Sequence, residues 1–180
     1  GRAALYASDE AQVVLEREAG RRVTKEVKAT LEGLAKASGV ARTQRRELKF
    51  VWGEARVTIA FGIPDEEARW GYFEQRVKLD PSRLKGQPSG LANLLYAANH
   101  LNADARGLRV LVSADRLRFR RYVYIDGRPP FHADELEQHL EALVSDWTLA
   151  FEQLKAVQRG HQWQEEISLP GLGASDAGAV

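Results

Sequence analysis

A chain of 180 residues, 44% hydrophobic and 28% charged, has the composition of a soluble globular domain and the length of one ordinary domain of roughly 100–150 residues plus ends. Its net charge of +1 excludes a whole-chain basic footprint of the kind that drives non-specific DNA binding, although a local patch stays open. Without cysteine there is no disulfide, thiolate catalysis or cysteine-bound metal. No apolar run approaches the ~20 residues of a membrane helix and no signal-peptide pattern opens the chain, so a cytoplasmic location is the expectation.

Residues 8–38 read as helical. Asp9 can cap, with Gln12 three residues on, and Val23, Val27, Leu31 and Leu34 form an apolar stripe with Lys25, Glu26, Lys28 and Glu32 on the wet side. Gly20 inside that run costs about 1 kcal/mol, which predicts a kink or two helices, and Gly39 is placed as the C′ glycine. Residues 40–46 are polar and basic and read as a connection. Leu48, Phe50 and Trp52 then alternate with Lys49 and Val51, Gly53-Glu54 offers a two-residue turn, and Val57, Ile59 and Phe61 make the returning strand. Trp70, Tyr72, Glu74 and Arg76 alternate with Phe73, Gln75, Val77 and Leu79 in a third strand. A glycine- and proline-bearing loop follows over 82–90, and Ser89 can cap a helix striped by Leu91, Leu94, Leu95, Ala98 and Leu101.

The best-patterned stretch runs from Leu108 to Val157. Val110 and Val112 alternate with Arg109 and Ser113. Beyond a turn at Ala114-Asp115-Arg116, the side chains of Leu117, Phe119, Val123 and Ile125 share one face and those of Arg118, Arg120, Tyr122 and Tyr124 the other. Gly127 and Pro129-Pro130 stop the strand. Leu136, Leu140, Leu143, Val144, Trp147, Phe151 and Leu154 then recur at helical spacing. From Arg159 the pattern fails, and a loosely held tail is expected over 159–180. The predicted order is helix, three strands, helix, two strands, helix. That is a single α+β domain over 8–158, with a mainly antiparallel five-stranded sheet packed by helices as a two-layer sandwich.

This α-β-β-β-α-β-β-α order resembles the YbjN-like proteins and, more distantly, the chaperones of type III secretion. The resemblance covers roughly residues 24–157. Its most telling piece is the middle helix from Leu91 to Asn102, with the Leu94-Leu95 pair and then Asn99-His100-Leu101-Asn102, leading into Leu108–Ser113 and Leu117–Ile125. The motif marks a fold rather than an active site. The resemblance implies a homodimer that binds stretches of other proteins, without catalytic residues or cofactor, and leaves the partner unidentified.

The chemistry-bearing residues are few. Arg116, Arg118, Arg120, Tyr122 and Tyr124 sit about 6.6 Å apart on one strand face, a basic ladder running into two rings. Guanidinium groups can pair carboxylates or phosphates, and rings can stack on bases or peptide side chains. A solvated or helix-covered sheet face, a protein contact and a single-stranded nucleic-acid contact are the three readings of that ladder. Trp70 and Tyr72 oppose Phe73 and Val77, so that strand is either covered on both faces or carries an exposed patch. Candidate partner contacts are therefore Arg118, Arg120, Tyr122, Tyr124, Trp70 and Tyr72. Arg121, among core-facing neighbours, needs a carboxylate or an edge position. His132, Glu135 and His139 share a helix face by spacing but flank leucines on its wet side, so no metal site is expected. No serine elbow, phosphate-cradling loop or dinucleotide fingerprint is present.

Overall fold

The computed structural model describes residues 2–44, 46–64, 69–78, 90–104, 107–113, 115–125 and 132–158. In chain order these form α1 (Arg2–Gly33), β1 (Ala37–Gln44), β2 (Glu47–Trp52), β3 (Val57–Gly62), β4 (Trp70–Lys78), α2 (Gly90–Asp104), β5 (Leu108–Val112), β6 (Arg116–Tyr124) and α3 (Ala133–Gln158). The six strands make one antiparallel sheet in the order β1-β2-β3-β4-β6-β5. The α+β architecture is as predicted, with six strands in place of five. The cap at Ser89, the loop over 82–89, the prolines after β6 and the tail over 159–180 lie outside the described residues.

Helices α1, α2 and α3 share one apolar core with a single face of the sheet. Phe50, Phe61, Phe73 and Phe119 project from β2, β3, β4 and β6 into it, and each is sealed from solvent. Leu31 of α1, Leu94 of α2 and Leu136, Leu140, Leu143 and Leu154 of α3 close over them. Each fully buried side chain of this kind contributes roughly 1.5–3 kcal/mol, so the phenylalanine layer is the main cohesive feature.

Five expectations are corrected. Helix α1 is unbroken from Arg2 to Gly33, so Asp9 lies inside it rather than at its start. Gly20 does not kink it: that glycine is buried against Arg46, and a Cβ there would meet the Arg46 Nε at 3.3 Å. Residues 40–44 belong to β1 rather than to a connection. Most positions of that edge strand are exposed, so its pairing with β2 rests on backbone bonds that leave no apolar alternation. Gly39 has the expected positive φ of 61°, but within β1, where the register shifts between Ser38 and Ala41 as in a bulge, not as a helix C′ residue. Finally, β2 and β3 are joined through Gly53–Arg56, with the Arg56 N–H donating to the Gly53 carbonyl at 3.1 Å, instead of a two-residue turn.

The middle helix is tied to the sheet by a side chain. The Asn102 Nδ2 donates to the Val110 carbonyl at 2.9 Å, and the Val110 N–H donates to Asn102 Oδ1 at 2.6 Å. Strand β5 is an edge, so the amide does for Val110 what a further strand would. Among the described residues no helix is long and apolar enough to cross a membrane.

Candidate functional site

Strand side chains alternate, so the helices that bury one sheet face leave the other to be read in cross-strand rows. Trp70 of β4 stands beside Tyr124 of β6. In the next row come Glu47, Gly62, Tyr72 and Tyr122, and then Lys49, Ala60, Glu74, Arg120 and Arg109. Arg76 stands beside Arg118 and Leu111, and Lys78 beside Arg116. Aromatic rings thus gather toward one end of β4 and β6, and cations toward the other.

The middle of the face is not a bare basic ladder. Glu74 is 1% exposed. It accepts bonds from the Nε of Arg76 and from the Nε of Arg120. Arg76 reaches on to Glu47 at 2.8 Å, and Glu47 also takes the Thr43 hydroxyl at 3.1 Å. Arg120 donates to the Tyr122 hydroxyl at 3.2 Å while its guanidinium lies 4.2 Å above the Tyr72 ring. A buried carboxylate needs compensation of this kind, because an isolated charge out of water costs several kcal/mol. Sequence reasoning missed this clamp. Its signal was one acid, Glu74, on a strand face whose neighbouring strand is rich in arginine.

Tyr72 owes its position to Gly62. A Cβ at Gly62 would lie 2.5 Å from the Tyr72 ring, so only glycine lets the ring lie flat across β3. Tyr72 is consequently 8% exposed, beneath Arg120 and edge-on to Tyr122 at 6.2 Å. Burial pushes its phenol above the ordinary range. For Glu47, burial works upward, but the Arg76 hydrogen bond and charge, with Thr43 and Tyr72, hold the carboxyl below the usual range.

The other sequence candidates fall into two groups. Trp70, Tyr122 and Tyr124 are 45%, 39% and 61% exposed, and Trp70 meets Tyr124 edge-to-face at 5.1 Å. Arg118 is half-buried. Its Nε is shielded from solvent with no hydrogen-bond partner, and among the described residues it forms no ion pair. The structure therefore brings Arg120, Tyr72 and Tyr122 into one network with Glu74, and leaves Trp70 and Tyr124 as an exposed pair at one end and Arg118 toward the other.

On the helix-covered face Arg121 finds the carboxylate it was expected to need. Its guanidinium lies 3.6 Å from Asp146 of α3, and its Nε donates to His139 Nδ1 at 3.4 Å. Burial, and then the Arg121 charge, depress the His139 imidazole, while burial raises the Asp146 carboxyl against the opposing pull of Arg121. His132 and Glu135 are exposed, whereas His139 turns inward. Among the described residues no three histidine or acidic side chains gather as a metal site.

No protein-family model and no curated protein sequence matches the chain. Among solved structures, YbjN from E. coli, described as "a putative transcription regulator", superposes with a TM-score of 0.51 at 10% identity, covering 77% of this chain and 93% of that one. The chain therefore has a YbjN-like fold.

Proposed function

We propose that this chain is a non-enzymatic, chaperone-like adaptor of the cytoplasm that acts as a homodimer and holds an extended segment of a partner protein on the outer face of its sheet. The observation that carries the reading is a sheet face opposite the core shared by the described helices, with exposed Trp70, Tyr122 and Tyr124 toward one end and Arg118, its Nε unpartnered, toward the other. Aromatic residues and arginine are the residue types that dominate protein-binding hot spots. The rigid Glu74 clamp beneath them lowers the ordering cost of binding. A partner segment with an apolar residue for the Trp70–Tyr124 corner and carboxylates for Arg118 complements this surface. Support for a dimer comes from α2, whose Leu95 and Tyr96 are 43% and 50% exposed.

Display selection of random peptides tests the reading. The wild-type chain is expected to enrich sequences pairing an aromatic or aliphatic residue with acids, and Trp70→Ala/Tyr124→Ala to lose them by about 2 kcal/mol or more, the scale of a hot spot. Peptides held equally by that variant would remove this face as the site. A second reading uses the same rings to stack bases of a single strand, which agrees with the description attached to YbjN. It calls for steep salt dependence with single-stranded oligonucleotides, where the peptide reading calls for shallow dependence.

A further inference from the structure

A different surface carries a different charge pattern. On α1, Arg17, Arg21, Lys25 and Lys28 follow one another at steps of four, four and three residues, which places them along one side of the helix about 6 Å apart. Arg42 projects from β1 against the same side. Arg21, Lys25, Lys28 and Arg42, with Arg22, line a groove of about 640 Å³ whose one lining carboxylate is that of Glu18. Arg21 also lines the adjoining cleft of about 340 Å³ between α1 and the sheet, where Arg17 and Arg46 join it. The carboxylate in that cleft, Glu47, is already engaged by Arg76 at 2.8 Å. Two pairs along the groove, Arg21 with Glu18 at 3.7 Å and Lys28 with Glu32, are exposed and exchange readily. In a chain of net charge +1 this is a local concentration of positive charge.

We infer that this groove is a docking surface for the phosphate backbone of duplex nucleic acid. The groove wall is charged throughout. A protein partner needs an apolar centre to bury, and a lipid surface needs an apolar helix side to insert; neither is offered by these residues. With no ring along it, the groove also lacks a stacking platform for single-stranded bases. What remains is a straight row of cations at regular spacing, which contacts phosphates and reads no sequence. The groove shares no lining residue with the sheet face proposed for peptides, whereas the adjoining cleft shares Glu47 and Tyr72 with it.

The test is fluorescence anisotropy of the full chain with a labelled mixed-sequence duplex of about 20 base pairs, from about 50 to about 200 mM salt. The expected result is binding with a log–log salt slope of about −4 to −5, as about five displaced counterions give. Arg21→Glu/Lys25→Glu is expected to lose at least about ten-fold in affinity and to flatten the slope by about two. Arg42→Glu, on the opposite wall, should weaken binding independently of α1. Trp70→Ala/Tyr124→Ala should leave duplex binding unchanged, which separates this inference from the peptide reading. The inference is overturned by absent duplex binding at low salt, by charge-reversal variants that bind as tightly as wild type, or by tighter binding to polyglutamate or to anionic phosphatidylserine vesicles than to the duplex.

Discussion

Glu74 shows how one side chain decides what a sheet face can do. Removing it strands the Arg120 guanidinium, whose side chain is only 16% exposed, and frees Arg76. Glu74→Ala should therefore destabilise the chain by roughly 3 kcal/mol, the range for breaking a buried ion pair. Arg116→Ala, which cuts only an exposed pair with Asp115, should shift stability by less than about 0.5 kcal/mol. Urea midpoints of the two variants check the contrast, and equal shifts would contradict it. His139 supplies a pH dependence. Its folded imidazole is depressed by burial and by Arg121, so just below the ordinary value of about 6.5 the unfolded chain binds more protons than the folded one. Stability should rise with pH across that window and fall as acid is added through it. The raised Asp146 acts in the opposite sense at lower pH, since there the folded chain holds the extra proton. His139→Gln should flatten the stability profile just below the ordinary imidazole value of about 6.5; an unchanged slope would remove His139 as its source. None of this was legible residue by residue. Alternation put Arg121 toward the core and the Arg/Tyr set away from it, but which acid meets which arginine depends on strand register, which one sequence does not display.

At the scale of elements, legibility follows how much apolar contrast an element needs. Strands β2, β3, β4 and β6 and helix α3 bury strong alternations or stripes, and each was readable from its leucines and phenylalanines. Strand β1 is held by backbone pairing at an edge and carries no such contrast, so Ala41-Arg42-Thr43-Gln44 passed for a connection. Gly20 misled for a related reason. Its helix cost is real, yet the helix runs unbroken through it, with Gly20 packed beside Arg46. The Arg46 side chain can shift by the few tenths of an ångström a methyl needs, so Gly20→Ala should stabilise the chain by about 0.5–1 kcal/mol, read as a higher melting temperature. Asn102→Leu should have the opposite effect. It leaves both backbone groups of Val110 unpaired at the β5 edge and should cost about 1–3 kcal/mol, with faster amide exchange at Val110. Unchanged exchange there would mean that the α2 amide does not close the edge.

For the whole molecule, the described helices gather on one side of a six-stranded sheet and, among the described residues, leave the other side open to solvent or to a partner. That asymmetry followed from the predicted order of elements. The division of the open side into a sealed Glu74 clamp, an aromatic corner and an unsatisfied arginine did not, because it arises from Tyr72 lying over Gly62 and from pairings fixed only in three dimensions. The account stands on that open side being where the chain grips a partner segment. Its most direct measurement is a titration of the ¹⁵N-labelled chain with a display-selected acidic-aromatic peptide, followed amide by amide. The account predicts shift changes centred on Trp70, Tyr122, Tyr124 and Arg118, with α1 and α3 unmoved; shifts centred on the helices, with β4 and β6 silent, would contradict it.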